Sequence, residues 1–237
     1  MKNAFRTTAV TALTLFGCVV AARADYIDLP IKWSQPIGWD NGVIIGVDRL
    51  SDHTVNTVMA NDWLCNDPHP IVAVRWWGSY IGSSTVIPTG YINNFDISIH
   101  ASDGSELNHP SSLPTDLLAL WTDVTVQQEF VGFDVSGDAV YRYDAYLPSP
   151  FDQTPGTEYF LDIDQPTGEN WGWHDADLPY PVLDWAAVGT THAGPWQTYV
   201  PNTELAFELM VPEPSTLAIA GWGIAVLAFA AYRRRGK

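Results

Sequence analysis

The segment from Asp25 to Met210 predicts an all-β fold, a single jelly-roll-like β-sandwich. Three observations predict it. Short runs of Val, Ile, Tyr, Trp and Phe recur along the segment, several alternating apolar with polar residues. Turn-forming residues are dense between them, the chain holding 18 Gly and 17 Pro. No stretch carries the i, i+3, i+4, i+7 apolar spacing of a convincing surface helix. No internal repeat points to a propeller or solenoid.

The elements follow in order. Ile71 to Trp77, IVAVRWW, suits a central strand buried on both faces for part of its length. Trp76 and Trp77 then point to opposite sides. Phe95, Ile97 and Ile99 alternate with Asp96, Ser98 and His100, which predicts a half-buried strand with one wet face. Pro114 to Trp121 is the one place that suits a short helix, capped by Thr115 or Asp116. Val124 to Phe133 and Ala139 to Leu147 are further strands. Tyr159, Leu161 and Ile163 form the core side of the next, Val182 to Val188 gives a shorter one, and Leu205, Phe207 and Leu209 mark the last.

Both ends are apolar and stand outside the fold. Lys2 and Arg6 precede an apolar run from Ala9 to Ala22, and Ala22-Arg23-Ala24 fits small-x-small cleavage. Residues 1–24 read as a signal peptide for Sec export. Leu15-Phe16-Gly17-Cys18 loosely matches a lipobox, so lipidation of Cys18 stays open, although Phe16 is bulky for that site. At the other end, an apolar run from about 215 to 231 precedes Arg233, Arg234 and Arg235. At about 1.5 Å per residue it spans roughly 26 Å, enough for a bilayer core. The arginines are a stop signal that keeps the terminus cytoplasmic.

Pro212, Glu213 and Pro214, the apolar helix and the three arginines occur in that order over residues 211–237. This stretch resembles the PEP-CTERM sorting signal of Gram-negative bacteria. The resemblance implies recognition by a membrane exosortase, release or transfer of the ectodomain, and association with exopolysaccharide or biofilm. Both prolines keep the motif extended, where an enzyme can reach its backbone.

The whole chain carries a formal charge of -16. Between Asp25 and Val211, four basic residues (Lys32, Arg49, Arg75, Arg142) face 26 acidic ones, so the ectodomain is near -22. Phosphate backbones need Lys and Arg, which excludes nucleic-acid binding. The acidic surface serves solubility and is able to recruit divalent cations. Without Cys18, Cys65 is alone, so the mature monomer has no internal disulfide. A buried inert thiol is the expectation for Cys65.

A second resemblance spans most of Lys32 to Met210. It is carried by Lys32-Trp33-Ser34-Gln35-Pro36, Asn61-Asp62-Trp63-Leu64-Cys65, Arg75-Trp76-Trp77-Gly78-Ser79 and Phe95 to His100. Trp171-Gly172-Trp173 and Leu205-Ala206-Phe207 complete it. Together they look like a bacterial exported domain of unknown function. The resemblance implies a β-sandwich and supplies no activity. Members often have Asp-Asp-Phe where this chain has Asn61-Asp62-Trp63, so no role passes to Asn61.

Enzyme signatures are missing: no Gly-x-Ser-x-Gly, His-Glu-x-x-His, P-loop or Gly-x-Gly-x-x-Gly occurs. The six histidines are scattered, and only the fold can assemble them. No catalytic residue and no cofactor is expected. Asp162 with Asp164, or Asp175 with Asp177, offers carboxylates to a structural Ca²⁺, although neither fits an Asp-x-Asp-x-Asp-Gly loop. The 11 tryptophans are the remaining clue; Trp222 belongs to the apolar tail. Trp171, Trp173 and Tyr180, in a Gly- and Pro-rich region beside acids, suit a platform for stacked sugar rings. The same tryptophans equally suit a disulfide-free core. The expected function is a non-enzymatic cell-surface or matrix protein, the alternative a carbohydrate-binding module around Trp171 and Trp173. A glycoside-active enzyme is a distant third.

Overall fold

A computed structural model describes residues 27–103, 113–177, 186–199 and 203–213. The expected signal peptide and terminal helix lie outside these residues. Among the described residues, no helix is long and apolar enough to cross a membrane. The strands are β1 Ile31–Gln35, β2 Gly38–Asp40, β3 Val43–Ile45, β4 Asp48–Leu50, β5 Val58–Leu64, β6 Ile71–Tyr80 and β7 Gly90–Ser102. They continue with β8 Pro114–Phe133, β9 Ala139–Phe151, β10 Glu158–Asp164, β11 Trp171–His174, β12 Ala187–Gly189, β13 Trp196–Thr198 and β14 Phe207–Met210. A 3-10 turn at His53–Val55 is the one helical element among the described residues.

The all-β class is as expected. Twelve of the fourteen strands share one sheet in the order β1-β14-β6-β9-β8-β7-β10-β5-β12-β13, with β11 and β4 added beside β6, and β2 and β3 pair separately. Its pairs are antiparallel. The sheet curls. β6 and β7 are separated by β9 and β8, about 14 Å along a flat sheet. Yet the rings of Trp76 on β6 and Phe95 on β7 lie 5.2 Å apart. Trp171 also meets Phe95 at 4.9 Å, edge to face. The concave face therefore closes on itself around Trp63, Trp76, Trp171, Trp173, Tyr143 and Phe207, all fully buried. These large rings fill, without a disulfide, the space between strands that a flat sheet would leave open.

Two expectations change. Pro114 to Trp121 is the start of β8, a 20-residue strand, and no helix. Leu and Ala there are good helix formers, but propensity is a weak force and pairing with β7 overrides it: Ile97 faces Trp121, Ile99 faces Ala119 and Ser102 faces Pro114. Asp96, Ser98 and His100 do alternate away from the core, but their face is not wet. All three are buried: Trp196 of β13 sets its ring 5.2 Å from that of His100, and His192 of the β12–β13 loop reaches Asp96 and Asp162.

The outer face has a second covering. β2 and β3 form a hairpin through Asn41 and Gly42, both at positive φ. Asn-Gly is the pair a two-residue type I′ turn requires. Beneath the hairpin lies a small apolar cluster of Ile37, Ile44, Trp77, Val140 and Ala206. Trp76 thus serves the main core and Trp77 this outer one. Cys65 is buried and unpaired, its thiol 3.0 Å from the Asp67 carbonyl.

Candidate functional site

The expected sugar platform does not form at Trp171 and Trp173. Both are wholly buried on β11. Trp171 Nε1 donates to Tyr143 Oη at 3.2 Å, and Trp173 Nε1 to the Ala206 carbonyl at 2.8 Å. Gly172 between them faces the other side of the strand, where its missing side chain lets Asp48 and Ile81 close in. Tyr180 lies outside the described residues. Asp175 gives both carboxylate oxygens to Arg49, at 2.8 Å each. Asp177 is exposed, its backbone N–H bonded to the Pro36 carbonyl. Pro212 and Glu213 are exposed just past β14; Pro214, Arg233, Arg234 and Arg235 lie outside the described residues.

Exposed aromatics gather elsewhere. On the outer face, Ser34, Glu208, Arg75, Asp144, Gln127 and Tyr91 stand in register across six strands, from β1 to β7. Arg75 joins the row's middle. Its Nε donates to Asp144 Oδ1 at 2.7 Å and its Nη1 to Glu208 Oε2 at 3.1 Å. Arg142 Nε holds the other Asp144 oxygen at 2.9 Å. Where the row meets β8 and β7, a cleft of about 400 Å³ opens, lined by Tyr91, Tyr146, Asp123, Thr125, Gln127 and Asp144 among others. Tyr91 is 65% exposed and Tyr146 58%. That volume suits a small ligand. Two solvent-facing phenol rings beside carboxylate, amide and hydroxyl groups can hold a sugar by both its apolar face and its hydroxyls.

The fold also assembles histidines that sequence spacing kept apart. Asp96 and His100 on β7 and Asp162 and Asp164 on β10 share the covered outer face, and His192 reaches them from the β12–β13 loop. His192 Nδ1 lies 2.6 Å from Asp162 Oδ2, and its Nε2 is 3.1 Å from Asp164 and 3.7 Å from Asp96. His53 Nδ1 meets Asp164 Oδ2 at 2.7 Å. Ser98 Oγ donates to Asp162 at 2.8 Å. Burial opposes a charge on His192, but hydrogen bonds to Asp162, Asp164 and Asp96 outweigh it and push its pKa up to about 12. Burial likewise opposes the Asp162 carboxylate, and His100 and His192 hold its pKa below the usual range.

His53, Asp96, Asp164 and His192 each bring one possible ligand atom within 4.8 Å of the others. The set can enclose a cation, and protonated His192 already supplies one. The cluster adjoins the cleft, since the Asp123 backbone N–H donates to Asp96 Oδ1 at 3.0 Å. The alternating polar residues Asp96, Ser98 and His100 of β7 and the alternating Asp162 and Asp164 of β10 were a visible signal for it, whereas nothing in the local sequence places His192.

No curated protein matches this chain. A family model described as a domain of unknown function, DUF7901, matches residues 31–212, from the first residue of β1 to just past the end of β14. The match covers most of the chain and every described strand, and the chain therefore belongs to the DUF7901 family.

Proposed function

We propose that this is a non-enzymatic, exported protein of the cell surface or extracellular matrix whose β domain holds extracellular polysaccharide in the Tyr91–Tyr146 cleft. The observation that carries this reading is the pair of exposed tyrosines lining one cleft with Asp123, Gln127 and Asp144. The glycan surface moves from the expected Trp171 and Trp173 to the outer face of β7, β8 and β9. The curled sheet works as a jelly-roll-like sandwich closed on its tryptophan core, and its outer face presents the site.

The route is read from the two ends. Residues 1–24 direct Sec export. Residues 211–237, with Pro212-Glu213-Pro214, the apolar run and Arg233 to Arg235, form a PEP-CTERM signal handled by exosortase in a Gram-negative envelope. A strongly acidic domain with four basic residues supports an exterior, nucleic-acid-free setting.

Polysaccharide pull-down and glycan arrays with the full chain test the reading. Saturable binding to at least one extracellular glycan is the expected outcome. Absence of binding across soluble and insoluble polysaccharides would remove the glycan function and leave a purely structural surface protein.

A further inference from the structure

Under the β2–β3 hairpin, three polar residues intrude into the small outer apolar cluster. Asp48 is on β4, His174 faces it in register on β11, and Asp134 opens the β8–β9 turn. Ile44 of the hairpin bridges to Asp134. Each of the three offers one ligand atom, and these atoms lie within 4.8 Å of one another. His174 is fully buried and Asp134 only 4% exposed. Each residue also has one buried atom with no hydrogen-bond partner: Asp48 Oδ1, Asp134 Oδ2 and His174 Nε2.

The remaining atoms are held in place. Ser79 Oγ donates to Asp48 Oδ2 at 2.6 Å. The backbone N–H groups of Ser136 and Asp138 donate to Asp134 Oδ1 at 2.8 and 2.9 Å. His174 Nδ1 lies 2.8 Å from the Asp175 carbonyl. A carbonyl only accepts, so Nδ1 carries the proton and Nε2 presents a lone pair. Two carboxylates and one imidazole lone pair thus meet in an apolar setting with no donor among the unpartnered atoms. Arg49, next to Asp48, is committed to Asp175.

We propose that Asp48, Asp134 and His174 bind one divalent transition-metal ion of the Zn²⁺ class, which ties together β4, β11 and the β8–β9 turn under the hairpin. The charge balances, two carboxylates against a 2+ ion. An imidazole ligand selects against Ca²⁺ and Mg²⁺, which take oxygen. Each ligand has the outer-shell hydrogen bond that orients metal ligands: Ser79 for Asp48, the turn backbone for Asp134 and the Asp175 carbonyl for His174. Three protein ligands leave a fourth tetrahedral position for water.

The test uses the full chain, stripped with a chelator, dialysed and titrated with Zn²⁺ against a chromophoric competitor, with thermal unfolding measured in parallel. One tight equivalent is expected. Asp48→Asn and His174→Gln should each weaken it roughly 100-fold or more, beyond the 10–100-fold of an outer-shell change, and His192→Gln should leave it intact. Unfolding gives a second readout. Without metal, Asp48→Asn should unfold at a higher temperature than the parent, because an amide N–H can donate to the unpartnered acceptors Asp134 Oδ2 and His174 Nε2. With Zn²⁺ the order should reverse. If Asp48→Asn is the more stable protein in both conditions, or the tight equivalent is lost in His192→Gln and kept in His174→Gln, the proposal is overturned. If stripped parent protein takes up no Zn²⁺, the three residues surround water and the proposal fails equally.

Discussion

His192 Nδ1 sits 2.6 Å from Asp162 Oδ2, a loop imidazole set against a carboxylate that is wholly buried on β10. The pair fastens the β12–β13 loop to the sheet's outer face and gives stability a pH dependence. With its folded pKa pushed up to about 12 and an unfolded value of about 6.5, His192 contributes stability that is fully present below about pH 6.5. That contribution is lost as pH rises toward 12, at up to about 1.4 kcal/mol per pH unit. Urea titrations of the parent and His192→Gln from pH 6 to pH 10 should show a gap that narrows as pH rises. A gap of constant size would contradict a protonated His192.

Arg75 flanks the cleft in the same row, its guanidinium fork serving two carboxylates, Asp144 and Glu208. Arg75→Met should cost about 3 kcal/mol, the low end for breaking a buried pair, since Arg142 still holds Asp144. Arg75→Lys should recover little, because a single ammonium cannot reproduce the fork. Chemical denaturation of the three proteins checks both statements.

Trp171 and Tyr91 should separate stability from binding. Trp171→Ala removes a fully buried ring and its bond to Tyr143, at a cost of about 3–5 kcal/mol. Its folded fraction should bind polysaccharide like the parent. Tyr91→Ala, at a 65% exposed position, should leave the unfolding midpoint within about 0.5 kcal/mol of the parent and weaken binding. Paired denaturation and binding curves report the contrast.

The tail gives its own prediction. Glu213→Ala, or removal of Arg233 to Arg235, should block maturation, so that intact mass finds the unprocessed chain. A normal mature mass and normal surface display in these variants would contradict exosortase handling.

Much of the β architecture was legible because period-two alternation is a local signal. Ile71 to Trp77, Phe95 to His100 and Ala139 to Leu147 all lie in strands. What was not legible depended on covering. Asp96, Ser98 and His100 read as a wet face because their alternation is the same whether water or another segment lies above them. The distant β12–β13 segment brings Trp196 and His192 onto them. Trp171-Gly172-Trp173 read as loop because Gly breaks the pattern, yet that Gly is what lets Asp48 and Ile81 close over β11. Pro114 to Trp121 read as helix because Leu and Ala favour one, and the opposing register of β7 decides otherwise. The histidine clusters were out of reach for the same reason. His53 and His192 are 139 positions apart, and only the curled sheet sets their rings 5.4 Å from each other.

The most direct test of the central claim is calorimetric titration of soluble extracellular polysaccharide fragments into the parent and the Tyr91→Ala/Tyr146→Ala double variant, matched by unfolding midpoint. The parent should bind saturably, and the double variant at least about tenfold more weakly, a difference of about 1.4 kcal/mol. Equal affinities, or no binding by the parent to any fragment, would contradict a polysaccharide site in this cleft.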